Sequence, residues 1–192
     1  MELVTIARKL GGVLPIRTER LWLRRFQPQD YQSYCGYHTR ADVYRFNQCD
    51  PPQGEELRQQ FEEAMAGGLV REGDAFHFAL ERREDGTLLG EVLLRLADRE
   101  ALQAEIGYVL HPSFFGRGYA TEAASAVVDL GFSLGFHRIF ARLDSRNVGS
   151  IGVMERLGFR REAHFIENSR FKGTWSDEYV YALLAREWQR GK

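Results

Sequence analysis

Cysteine, net charge and long apolar runs are scarce in this chain, and each scarcity removes a class of protein. Only two cysteines occur, Cys35 and Cys49, at neither metal-ligand nor redox spacing, so no disulfide framework or thiolate metal site is expected. His111, His137 and His164 are scattered with no metal spacing either. The 26 basic and 27 acidic side chains leave a formal charge of −1, which argues against a broad electrostatic footprint for nucleic acid. No run approaches the roughly 20 apolar residues that span a bilayer, so no membrane partner is expected. The first residues, MELVTIARKLGG, carry Glu2, Arg8 and Lys9 around no long apolar core, unlike a secretory signal. The expected address is the cytoplasm. Two phosphate loops are missing as well. No G-x-x-x-x-G-K-[ST] string occurs, and Thr121 stands where the dinucleotide fingerprint needs its third glycine.

What remains is an ordinary globular composition, 44% hydrophobic and 28% charged in 192 residues, enough for one domain to bury its own core. Residues 1–16 read as an N-terminal arm ended by Gly11-Gly12 and Pro15, and residues 17–190 as the domain. Leu21 and Leu23 alternate with Trp22 and Arg24 in a first strand within 18–26. Pro28 and Asp30 cap a helical piece carrying Tyr31, Tyr34, Cys35 and Tyr37. Residues 41–53 read as loop or short helix, and Glu55 to Met65 as a helix ended by Gly67-Gly68. Strands follow over Ala75 to Arg82 and Leu88 to Leu96, joined at Glu84-Asp85-Gly86-Thr87, then over Ala101 to Leu110. A strand at Arg138 to Leu143, a helix from Ser145 or Asn147 to Leu157-Gly158, and strands at Phe159 to Ile166 and Glu178 to Leu184 complete the chain. A polar loop with Lys172-Gly173-Thr174-Trp175 is expected between the last two. Phe76, Phe78, Phe132 and Phe140 fall at core periodicity, and His111, His137 and His164 read as structural. A hairpin-rich front half followed by β-α-β-α-β-β describes a mixed α/β fold, not a doubly wound parallel sheet.

The segment from Glu105 to Leu134 organises the rest: EIGYVLHPSFFGRGYATEAASAVVDLGFSL. Pro112 ends its strand, two glycines turn the chain, and a helix starts with Ala120, Ala124, Val127, Val128 and Phe132 on one side. Glycines leave backbone amides uncovered. With a helix N-terminus behind them, such amides suit an anion such as a diphosphate, although a tight turn that binds nothing has the same pattern.

Phe115-Gly116-Arg117-Gly118-Tyr119-Ala120 resembles the acetyl-CoA loop [QR]-x-x-G-x-[GA] of the GNAT superfamily of N-acetyltransferases, with Phe115 in the place of Gln or Arg. An aromatic there, followed by G-x-G-Y-A-T-E-A, is similar to the RimJ/RimL branch of ribosomal-protein N-terminal acetyltransferases. Asn147-Val148-Gly149-Ser150-Ile151-Gly152-Val153-Met154-Glu155-Arg156-Leu157-Gly158-Phe159 resembles a second family segment, N-x-x-[SA]-x-x-[LV]-Y-E-[KR]-x-G-F. The resemblance covers nearly everything from Arg17 to Trp188. It implies the GNAT fold: a central mixed, mostly antiparallel sheet of about seven strands with helices on both faces.

It also implies acetyl-CoA as co-substrate and no metal. Tyr108, Val109 and Leu110 would orient the pantetheine, and Phe115, Gly116, Arg117, Gly118, Tyr119, Ala120 and Thr121 would hold the diphosphate. Asn147, by itself a helix N-cap, and Ser150 would bond the pantetheine arm. The acceptor would be an amine, on a small molecule or a protein N-terminus, attacking directly in a ternary complex; a homodimer is left open. Glu105, otherwise a solvated strand-edge charge, would be the general base. Met154 stands where many members have a tyrosine acid, so Ser150 is the candidate to assist the leaving thiolate, or else a small packing residue. Met154 also leaves open a protein that binds CoA without turnover. A phosphate-loop oxidoreductase is a further alternative.

Overall fold

Near-continuous apolar residues, as in Leu88-Leu89 and Val92-Leu93-Leu94 of the central strands, commit the chain to a sheet covered on both faces there. The computed structural model describes residues 10, 12–47 and 49–188. Its strands are β1 (Ile16–Arg17), β2 (Leu21–Arg24), β3 (Ala75–Arg82), β4 (Leu88–Asp98), β5 (Gln103–Leu110), β6 (Arg138–Asp144), β7 (Arg160–Phe171) and β8 (Thr174–Leu184). Its helices are α1 (Tyr31–His38), α2 (Gly54–Ala66), α3 (Tyr119–Leu134), α4 (Val148–Arg156) and α5 (Ala185–Trp188). One sheet orders the strands β1-β2-β3-β4-β5-β6-β8-β7. Among the described strands only β5 and β6 pair in parallel, with α3 crossing over between them. The mixed, mostly antiparallel sheet with helices on both faces is therefore present, with eight strands where about seven were expected.

Two layers cover the sheet. On one face α3 buries Ala123, Ala124, Val127 and Val128 against Leu94, Ala104, Ile106, Ile139 and Ala141. On the other, α1 and α2 bring Tyr34, Tyr37, Leu57 and Phe61 over Ala79 and Leu88, with Phe26, Tyr34 and Phe61 in edge-to-face contact. Gly135, in the left-handed region at φ 102°, ends α3 where a side chain would be strained.

Several sequence expectations need correction. The extra strand is β1, whose two residues pair with Trp22 and Leu23. The boundary expected between residues 16 and 17 thus falls inside a strand, and Leu10 of the arm is buried in the main core. The rest of the arm, residues 1–9 and 11, lies outside the described residues. Residues 167–177, expected as loop, continue the last two strands to a two-residue turn, with Lys172 at φ 49° and Gly173 at φ 81°. Polar pairs such as Ser169 with Ser176, 2.8 Å between hydroxyls, hold that ladder without an apolar alternation to betray it. Phe76 and Phe78 are core residues, but Phe132 is only packed against the core's edge and Phe140 lies half-buried under the Arg138 guanidinium.

One buried polar group was invisible in the sequence. Glu91 of β4 is 2% exposed and faces His77 Nδ1 at 3.3 Å and His38 Nε2 at 3.5 Å. Burial alone would push its carboxyl up, yet the hydrogen bonds and charge of the two histidines outweigh this and hold it at about 2. The ordinary value is 4.5, so the unfolded chain binds the proton first on acidification. The stabilisation is complete above pH 4.5 and lost as pH falls through about 2. Urea midpoints measured between neutral and acid pH should therefore fall in that window. Glu91→Gln should flatten the fall and cost about 1–3 kcal/mol at neutral pH, as expected for disturbing a buried hydrogen bond. An unchanged acid slope in Glu91→Gln would contradict the assignment.

Candidate active site

The parallel pairing of β5 with β6 stops early. Only Gln103, Ala104 and Glu105 pair, with Arg138, Ile139 and Phe140, and the strands separate beyond. Tyr108, Val109 and Leu110 then form one wall of a cavity of about 880 Å³. A 3-10 turn at Pro112–Phe114 follows, capped by His111, whose Nδ1 accepts from the Ser113 amide at 3.2 Å. Gly116 and Gly118 next take φ values of 71° and 81°, which reverse the chain onto the start of α3. Gly118 is the N-cap residue, and no side chain caps the first turn. The amides there stay available to an anion, with the positive end of the helix dipole behind them.

Helix α4 supplies the opposite wall. Asn147 caps it by accepting from the Ser150 amide at 3.1 Å. Ser150 lines the cavity, and its carbonyl accepts from the Tyr108 hydroxyl at 3.2 Å, tying β5 to α4. Burial pushes that hydroxyl up to about 12, so it remains a donor at neutral pH. Met154 is fully buried in the core and does not line the cavity.

Every cofactor-site residue expected from the sequence lines this cavity except Arg117, whose carbonyl instead accepts from Arg20 at 2.9 Å. The cations of the wall are Arg20 and Arg156. Arg156 reaches across from α4 to the Thr121 hydroxyl at 3.3 Å. Arg20 went unnoticed in the sequence, as did the loop residues Asp42, Val43, Phe46 and Asn47, which close one end. The strand alternation places Glu105 on the face away from α3, since its neighbours Ala104 and Ile106 belong to the α3 core. It is the last residue paired before the strands part. Its Oε2 accepts from Arg95 Nη1 at 3.1 Å, and it is not part of the cavity wall.

Residues 20–160 match the model of the acetyltransferase (GNAT) domain. The chain belongs to the GNAT acetyltransferase family. It is 34% identical to the uncharacterized N-acetyltransferase YnaD of Bacillus subtilis (strain 168), over 90% of this chain and 98% of that protein. It is 32% identical to the uncharacterized N-acetyltransferase p20 of Bacillus licheniformis, over 89% and 96%. The crystal structure of a GNAT-family acetyltransferase from Bacillus anthracis superposes with a TM-score of 0.80 at 31% identity, covering 90% of this chain and 99% of that one. A Vibrio cholerae spermidine N-acetyltransferase in complex with CoA and spermine shares the fold, with a TM-score of 0.77 at 20% identity and coverage of 90% and 99%. GNAT acetyltransferases use acetyl-CoA, and this family member is an N-acetyltransferase. That sets aside both the turnover-free CoA binder and the phosphate-loop oxidoreductase. No metal cluster occurs among the described residues, and no helix among them is long and apolar enough to cross a membrane.

Two substitutions probe this geometry. A Cβ at Gly118 would stand 3.3 Å from Arg20 Nη2, so Gly118→Asp would put its own carboxylate where the anion belongs. Each charge-assisted bond lost is worth about 1.5–3 kcal/mol, so CoA affinity measured by calorimetry should fall at least about tenfold. Normal binding would refute the loop's role. Met154→Ala should act through packing alone, costing about 2–5 kcal/mol in thermal or urea unfolding. Turnover per folded molecule should hold. A large loss of turnover would give Met154 a part in the chemistry.

Proposed function

We propose that this protein transfers the acetyl group of acetyl-CoA to a primary amine, a protein N-terminal α-amine or a small-molecule amine, by direct attack in a ternary complex. The observation that carries the reading is the separation of β5 from β6 directly beside a glycine loop and an uncapped helix N-terminus. Gly116 to Thr121 hold the diphosphate by their amides. The open edge of Tyr108 to Leu110, with Asn147 and Ser150 opposite, orients the pantetheine arm. A backbone amide of β5 polarises the thioester carbonyl.

The acceptor must arrive neutral. At pH 7 a lysine amine is uncharged at only about 0.04% and an α-amine at about 14%, a difference of about 3.5 kcal/mol in what a base must help supply. Glu105 is the base in this reading: it stands, partly buried, where the two strands part, and it takes the ammonium proton directly or through water. The thiolate needs little help, because an ordinary thiol pKa is about 8.5; the Ser150 hydroxyl is its hydrogen-bond partner. A cytoplasmic setting is part of the reading, and both cysteines stand as free thiols.

The likeness to the RimJ/RimL branch favours protein N-termini as acceptors. YdaF of Bacillus subtilis, whose name proposes a ribosomal N-acetyltransferase, is 33% identical over 56% of this chain and 60% of its own length. Against it stands the Escherichia coli spermidine N(1)-acetyltransferase, 28% identical over 54% and 56%. Initial rates of thiol release from acetyl-CoA with peptides of free N-terminus and with polyamines decide between the two. In that assay Glu105→Gln should lower turnover about 10²–10⁴-fold while CoA binding holds, and the deficit should shrink at high pH. A deficit equal at every pH would mean that Glu105 only orients the acceptor.

A further inference from the structure

Arg20 comes to the glycine loop from far away in sequence, out of the turn between β1 and β2, and it is built in rather than laid on. Glu122, in the first turn of α3, accepts from the Arg20 amide and from Arg20 Nε, each at 2.7 Å, and from the Thr18 hydroxyl at 2.6 Å. Burial alone would raise the Glu122 carboxyl, but these donors lower it. Its carboxylate is paired with the Arg20 guanidinium itself, at Nε. Arg20 Nη1 donates to the Arg117 carbonyl at 2.9 Å, and the guanidinium lies over the Tyr119 ring, 4.5 Å from its centroid. These contacts fix Nε, Nη1 and the plane of the fork. Nη2 remains, facing Gly118 at the cavity wall, and no described residue accepts from it. Arginine carries five N–H donors in fixed geometry, and a planar fork held this way suits phosphate oxygens.

We propose that Arg20, held by Glu122 and Tyr119, is a contact for the diphosphate of the acyl donor and completes the anion site begun by the loop amides. This rests on the donor site proposed above and adds to it a residue outside both family segments. The loop's own arginine, Arg117, serves it only through its backbone carbonyl. Glu122 has a positioning role: it sets the guanidinium plane, and Thr18 sets Glu122.

The test compares equilibrium binding of three probes, CoA, dephospho-CoA and pantetheine, to wild type, Arg20→Gln and Arg20→Lys by calorimetry. Dephospho-CoA keeps the diphosphate and lacks the ribose phosphate; pantetheine lacks both. Arg20→Gln should weaken CoA and dephospho-CoA alike, by about tenfold or more as expected for a charge-assisted phosphate bond, and leave pantetheine within about twofold. Arg20→Lys keeps the charge without the fork and should recover part of the loss. An equal loss for all three probes would overturn the proposal, since Arg20 would then only shape the fold. A loss confined to CoA would also overturn it, because the arginine would be reading the ribose phosphate. Unchanged CoA binding in Arg20→Gln would refute it outright. Wild type that binds none of the three would overturn the donor site itself, a different failure.

Discussion

Beyond Glu105, the edge of β5 that faces β6 carries backbone groups with no strand to bond. A buried amide or carbonyl left unpaired costs about as much as a lost hydrogen bond, so an open ladder inside a sheet is kept only if something else fills it. In the proposed reading the pantetheine arm, with its own amide groups, fills it as a strand substitute. Keeping the gap open falls to other parts of the fold. On its far side β5 is paired with β4 up to Leu110, and β6 is paired with β8 along its whole length. Each strand is thus held by an antiparallel neighbour, and the parallel contact between them is the one that can be relinquished.

The cavity spans the parting of the strands: Tyr108 and Leu110 belong to the α3 side, while Val109 and Val43 pack with the α1–α2 layer. Glu105, ion-paired to Arg95, lies on the face away from α3 and outside the cavity wall. The Tyr108 backbone lines the gap while its hydroxyl ties β5 to the first turn of α4. A change in the position of α4 would therefore be felt at the gap.

Much of this was legible in the sequence because it is local. The strand, the proline stop, the two glycines and the start of α3 are consecutive, and Asn147 caps the helix that follows it. What was not legible depends on distant pairings. Arg20 meets its loop through the Arg117 carbonyl, 97 positions away, and a carboxylate 102 positions away. Glu91, His38 and His77 come from separate elements and carry no spacing signal. The β7–β8 hairpin runs longer than its sequence pattern suggests, because its outer strand is almost wholly exposed and no apolar alternation marks it. Arg117 shows the opposite error: a cation in the right loop whose side chain does not line the cavity.

In the proposed reading the gap between β5 and β6 receives the donor, and a crystal structure of the protein with CoA decides this. The diphosphate is expected on the amides of residues 116–121 and the pantetheine arm along residues 108–110, between β5 and α4. CoA bound elsewhere with that gap left empty, or the two strands zipped together past Glu105, would contradict it.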